Sequence, residues 1–251
     1  DAMQTIQVLP DTVDYLVVDH YAIDVVWERK LKPYTRRMIV LDDLADRQHE
    51  CDVLLDQHRL DETQAYVGRV PEACQMLLGP KFALLMTGGA DLNHDTRWAL
   101  KALESEVFHD LEVNIVIGST HHDLMGIQQH VTAFPHMHLY IDVSNMADLM
   151  AASDLAIGAG GGALWERGAL GLPSIVCAIS DNQKHGVSAC AKAGMIYSVS
   201  RDMTSMQLVA VLQHIIQSSD RRRQLTLCST SICSVFGAAK AAEMILSDNS
   251  G

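Results

Sequence analysis

Four glycines stand among five residues at Gly158-Ala159-Gly160-Gly161-Gly162, between the apolar run Leu155-Ala156-Ile157 and Ala163-Leu164-Trp165-Glu166. A buried strand passing through glycines into a helix brings bare backbone N–H groups up to a phosphate without side-chain obstruction. Glu166, about one turn into that helix, can accept hydrogen bonds from sugar hydroxyls. With Gly171-Leu172-Pro173 behind it, the segment points to a nucleotide; its bland reading is a turn needed only for strand–helix packing. Ser180-Asp181-Asn182-Gln183 follows the next apolar run. Asn182 and Gln183 carry donors and acceptors suited to a sugar or a diphosphate, with capping of the following helix as the alternative. Asp19-His20-Tyr21 joins a carboxylate, an imidazole and a phenol at one strand end. Histidine is the usual general base near neutral pH. Successive residues of an extended strand face opposite ways, so the three meet one substrate only if the chain turns, and a structural role for His20 competes with catalysis.

The remaining polar clusters carry less. Gly88-Gly89-Ala90-Asp91 is a second small-residue turn that could meet phosphate or simply connect two elements. His121-His122-Asp123 and His136-Met137-His138 match neither HExxH nor a Cys/His zinc spacing, so they read as surface histidines. Neither a GxSxG nor a P-loop occurs. No metal and no cofactor is expected.

These residues need strand ends to hold them. Short apolar runs alternate with helical periodicity, the signature of βα units. The runs Tyr15–Val18, Met38–Leu41 and Val53–Leu55 form a first series of strands, and Pro71 with Gly79-Pro80 marks a loop-rich stretch after it. Asn114–Ile117, Leu139–Ile141, Leu155–Ile157 and Ser174–Cys177 form a second. Helices are expected at Thr96–Leu103, Met146–Ala152, Ala163–Leu170, Leu208–Ile215 behind a Thr204/Ser205 cap, and Ala238–Ile245. Such alternation favours parallel sheets covered by helices, with ligands beyond the carboxyl ends of the strands. The exits Asp19-His20-Tyr21, Asp42-Asp43 and Gly158–Gly162 would share that edge. Two α/β domains follow, 1–85 and 86–251, divided near residues 79–88.

Composition narrows the partners. The 251 residues include 31 acidic and 19 basic side chains, a formal net charge of −12. That balance argues against the backbone of nucleic acid as the main partner while leaving room for a pocket that takes one nucleotide. No apolar run approaches the roughly 18 residues of a membrane span, so no membrane partner is expected. Cys51, Cys74, Cys177, Cys190, Cys228 and Cys233 show no CxxC spacing and read as reduced, mostly buried thiols of a cytoplasmic protein. The chain opens at Asp1 without an initiator Met, and further residues upstream are expected.

Several ordered blocks from residue 1 to about Gly194 resemble one family. They are VVDHYAIDVVWE, DDLADRQHECDVLLDQ, LLGPKFALL, GGAD, LAIGAGGGALWERGALGLPSIV and SDNQ. The family is PseG, the UDP-2,4-diacetamido-2,4,6-trideoxy-β-L-altropyranose hydrolases of pseudaminic acid biosynthesis, which share the GT-B fold with the glycosyltransferase MurG. The resemblance implies two Rossmann-like domains with parallel sheets, the N-terminal one incomplete, and UDP held mainly by the C-terminal one. It implies Glu166 on the uridine ribose, Gly160, Gly161 and Gly162 as the phosphate turn, and Val143–Met146 near the uracil. It puts Asn182 on a functional Asn and Tyr21 on the Tyr of a DHY motif. Departures are equally visible: the family's GHxxR-like element with its proposed catalytic His has no counterpart here, Leu84–Gly88 is abrupt, and His58 and His94 replace expected asparagines.

The implied reaction is hydrolysis at the anomeric carbon, water displacing UDP with inversion and releasing 2,4-diacetamido-2,4,6-trideoxy-L-altrose. Donors around the diphosphate suffice for so good a leaving group, while the attacking water needs positioning and a base. Tyr21, Asn182 and His20 are the catalytic candidates; Gly160, Gly161, Gly162, Glu166, Gln183, Met146, Asp19 and Gly89 are the binding candidates. A UDP-sugar and UDP are the expected partners of a chain expected to be a monomer. The rivals are a MurG-like glycosyltransferase and a non-catalytic nucleotide-sugar binding module.

Overall fold

The structure, a computed structural model, describes residues 2–9, 12–56, 64–78, 95–234 and 236–247. Gly89, the 79–91 turn segment, His58 and His94 lie outside the described residues. In chain order the elements are α1 (Ala2–Val8), β1 (Val13–Val18), α2 (Val25–Leu31), β2 (Thr35–Leu41), β3 (Val53–Asp56) and β4 (Gln75–Leu78). Then come α3 (Asp95–Leu103), β5 (Val113–Ile117), α4 (Leu124–Thr132), β6 (Met137–Ile141), α5 (Met146–Ala151) and β7 (Ala156–Ala159). The chain closes with α6 (Ala163–Ala169), β8 (Ser174–Cys177), α7 (Asp181–Lys192), β9 (Tyr197–Val199), α8 (Ser205–Gln217), α9 (Ser219–Ile232) and α10 (Gly237–Ser247). Two compact units result: Asp1–Leu84 together with Cys233–Gly251, and Leu85–Ile232.

The first unit is built on a parallel sheet in the order β1-β2-β3-β4. Strand residues alternate between its faces. Met38, Val40 and Leu54 join Val18, Leu31, Tyr66 and Leu78 in one cluster, against which Ile6 of α1 and Trp27 of α2 pack. Ile39, Val53, Leu55 and Leu77 form the other, closed by Ala241, Met244 and Ile245 of α10. Burial on both faces explains why β2 and β3 read as continuous apolar runs. Helix α10, expected in the second domain, covers the first sheet instead, its Ala241, Met244 and Ile245 closing that face.

Beneath the end of β2 lies a polar network. Glu28, fully buried, meets His49 Nδ1 at 2.7 Å and accepts from the Glu50 N–H at 2.6 Å. Asp42 accepts from the Ala45 N–H, and the buried Tyr66 hydroxyl lies 2.9 Å from both Asp42 Oδ2 and Asp56 Oδ2. Burial, reinforced by the two carboxylates, pushes the Tyr66 phenol well above its usual range. Buried polar networks of this kind fix loop geometry more than they add stability.

The second unit carries two parallel sheets, β5-β6 and β7-β8-β9. Ile115, Ile127, Met137, Ile175, Leu208, Leu212 and Ile215 belong to one buried cluster spanning both. Helix α8 begins in a capping box, Thr204 accepting from the Gln207 N–H while Gln207 accepts from the Thr204 N–H. Gly171 ends α6 at φ +69, where a Cβ would strain the chain, and turns it directly into β8. By length and apolarity the stretch Ser219–Leu246 passes for a membrane-crossing helix, contrary to the sequence reading. In the fold it is two helices, α9 contacting α6 and α8, and α10 on the first sheet.

Candidate functional site

Sequence-selected residues fall into two groups, one in each unit. In the second unit, β7 delivers the chain into Gly160-Gly161-Gly162 and α6. Gln183, on the first turn of α7, ties this turn to the end of β8: its Oε1 accepts from the Gly160 N–H at 3.1 Å and from the Ile179 N–H at 3.2 Å. The approach at Gly160 is close, since a Cβ there would stand 2.2 Å from Val187 Cγ2. Gly161 is open by contrast, its nearest neighbour being Gln183 Nε2 at 3.7 Å from a notional Cβ. The carboxyl ends of β7 and β8 thus form one edge, with the glycine turn and Gln183 interlocked.

Glu166 lies half-buried in α6, and its Oε1 is buried without a hydrogen-bond partner. Burial pushes its carboxyl above the ordinary glutamate range, and the neighbouring Arg167 opposes the shift. A buried acceptor without a partner costs free energy until a donor reaches it. Asn182 is exposed, and its Oδ1 accepts from the Ser180 hydroxyl. Met146 opens α5, half-buried, after the β6 exit. At that exit Asp142, at φ +48, accepts from the Ser119 N–H at 2.8 Å, and the Ser119 hydroxyl together with that N–H holds its carboxyl below the usual range.

Arg167 was not singled out from sequence. It is 7% exposed, donates from Nη2 to the Ala159 carbonyl at 2.8 Å, and leaves no room for a Cβ on Gly158. Burial lowers its guanidinium to about 10. The side chain holds the end of β7 from beneath the glycine turn. A basic residue inside the apolar run of ALWERGAL was the available signal.

In the first unit the chain does turn after β1. The Ile23 N–H donates to the His20 carbonyl, so Asp19, His20 and Tyr21 sit at an exposed bend. His20 Nδ1 accepts from the Ala22 N–H at 3.0 Å. That contact occupies Nδ1 and leaves Nε2 as the ring nitrogen for any further partner. Tyr21 is 60% exposed and donates to Asp43 Oδ2 at 3.2 Å, joining the exits of β1 and β2. Elsewhere His121 stacks on His122, and His138 pairs with Glu112. Among the described residues no group of three or more His, Cys, Asp or Glu could hold a metal ion.

Comparison with known proteins adds the family. The chain is 26% identical over 160 residues to the UDP-2,4-diacetamido-2,4,6-trideoxy-beta-L-altropyranose hydrolase of Campylobacter jejuni subsp. jejuni serotype O:2, covering 57% of this chain and 58% of the relative. The chain therefore spans less than two thirds of that relative's length. Among solved structures, the S. aureus MnaA–UDP structure superposes with a TM-score of 0.67 at 10% identity, covering 97% of this chain and 76% of that one. Acinetobacter baumannii MurG gives 0.63 at 11% identity, covering 98% and 75%. Anabaena HepE in complex with UDP-glucose gives 0.54 at 12%, covering 93% and 79%. Such identities speak for fold alone: α/β, GT-B-like, with two Rossmann-like parallel-sheet subdomains. Residues 83–245, most of the chain and all of its glycine-turn unit that the structure describes, match the glycosyltransferase family 28 C-terminal domain, and the chain belongs to that family.

Proposed function

We propose that this chain binds a UDP-linked sugar and serves its transfer to an acceptor hydroxyl, as in a MurG-like glycosyltransferase. The observation that carries the reading is the glycine turn at the carboxyl edge of β7 and β8, open at Gly161, running into a helix where the buried Glu166 Oε1 has no hydrogen-bond partner. Backbone N–H groups of that turn would meet the diphosphate, where negative charge grows as UDP leaves. Glu166 would accept from the ribose hydroxyls, Gln183 would keep the turn in shape, and Val143–Met146 would flank the uracil. Membership of a glycosyltransferase family supports transfer over other chemistry. A UDP-sugar is supported by the C. jejuni relative, whose name includes one, and by the fold neighbours bound to UDP and UDP-glucose.

A second reading is hydrolysis with inversion, water taking the acceptor's place. The relation to the C. jejuni hydrolase favours it. There Asn182 would orient water or sugar, and Tyr21 is the first unit's candidate.

Calorimetric titration with UDP is the test. A hydrogen bond to a charged group contributes roughly 1.5–3 kcal/mol, so Glu166→Ala should weaken UDP about ten- to hundredfold. A wild-type chain that does not bind UDP overturns the proposal. Binding without turnover of any UDP-sugar, with or without acceptor, leaves a binding module in place of an enzyme.

A further inference from the structure

We propose that Cys51 and Cys74 are a redox-modification site, a dithiol that hydroperoxides convert to a disulfide. Their Sγ atoms lie 3.6 Å apart, against about 2.05 Å in a formed bond. The backbone makes the pair. Cys51 stands two residues before β3 and Cys74 one before β4, and these strands are parallel neighbours with Val53 paired to Gln75. The Gln75 N–H donates to the Asp52 carbonyl at 2.8 Å, so both thiols emerge together at the amino edge of the sheet. That edge is opposite the one that bears Tyr21 and Asp43, and the inference stands apart from the UDP reading.

The two sulfurs are unequal. Cys51 is 2% exposed, whereas Cys74 is half-buried and the one a small oxidant reaches first. A hydrogen bond from the Cys51 thiol, helped by Lys32, holds Cys74 below its ordinary range, while Cys51 is held above its own. The thiolate is the nucleophile. Cys74 Sγ⁻ attacks one oxygen of the hydroperoxide, the O–O bond breaks, and the alkoxide leaves as an alcohol after taking a proton. Cys51 Sγ then attacks Cys74 Sγ, the S–O bond breaks, and hydroxide leaves as water with the Cys51 proton. Two thiols lose two electrons in all, and the peroxide gains them. Among the remaining cysteines, Cys177 and Cys190 are buried, and burial pushes the Cys233 thiol up to about 12.

Hydrogen peroxide applied to the whole chain at neutral pH tests this. The intact mass should fall by about 2 Da, a non-reducing peptide map should join Cys51 to Cys74, and dithiothreitol should restore both thiols. In Cys51→Ala the partner is gone, and Cys74 should gain about 32 Da as sulfinic acid. Should that variant not fold, the wild-type map decides alone. A cross-link elsewhere, or Cys51 and Cys74 still open to alkylation once other cysteines are oxidised, overturns the inference.

Discussion

Glu166 is held in surroundings that favour its proton, and in the proposed site it must act without it. Its raised carboxyl is costly to the unliganded fold at neutral pH: the stabilising effect of burial is present below the ordinary glutamate value and is lost as pH rises through the raised one. Glu166→Gln should therefore melt above wild type at pH 7, and the gap should close below about pH 4.3. The same variant should bind UDP more weakly, and wild-type affinity should climb with pH through the Glu166 titration, both measurable by calorimetry. An opposite effect follows from Tyr21. Its hydroxyl bond to Asp43 is at the surface, so Tyr21→Phe should leave the fold unchanged. If Tyr21 orients the attacking group, turnover in the full-length protein should fall about tenfold, near 1.4 kcal/mol of barrier, with UDP affinity little changed. Normal kcat in that variant would reduce the bend to a packing element.

At the scale of elements, the β7–turn–α6 unit separates the folding role of glycine from its binding role. Gly160→Ala would drive a methyl group into Val187 and should cost about 1–3 kcal/mol in urea unfolding. Gly161→Ala meets only ordinary contact, so stability should stay within about 0.5 kcal/mol while UDP affinity falls. Equal UDP affinity in Gly161→Ala and wild type would remove the turn from the phosphate site. This unit was legible in the sequence because a buried strand, a glycine cluster and a helix follow one another without a break. Strands β4 and β9 were not. Gln75-Met76-Leu77-Leu78 lies behind Pro71 in a stretch rich in loop residues, and Tyr197–Val199 is only three residues long. Helix α9, SDRRRQLTLCSTSI, has no continuous apolar stripe, and Leu225 and Ser229 are its buried positions. Bonds that join distant positions, such as Arg167 beneath Ala159 and Gln183 across two strand ends, follow from tertiary packing that no local pattern encodes.

The whole molecule depends on a chain that leaves its first unit and returns to it. Residues Cys233–Gly251 rejoin Asp1–Leu84 after the complete second unit has intervened. Helix α10 sets Ala241, Met244 and Ile245 over Ile39, Val53, Leu55 and Leu77, and the Arg37 guanidinium donates to the Ile245 carbonyl. Each buried aliphatic side chain contributes about 1.5–3 kcal/mol, so stripping this face should remove several kcal/mol, a large part of the 5–15 kcal/mol typical of a folded domain. Ending the chain after Ile232 should thus unfold the first unit selectively. Limited proteolysis should cut within residues 12–78, and apolar dye should bind the core residues so exposed. The second unit keeps its own buried cluster around Ile115, Ile175 and Leu212, so it should stay folded and retain UDP affinity within about threefold, or 0.6 kcal/mol. Unchanged resistance of residues 12–78 would show that α10 is dispensable to the sheet it covers. Loss of UDP affinity along with the first unit would move part of the nucleotide site out of residues 85–232.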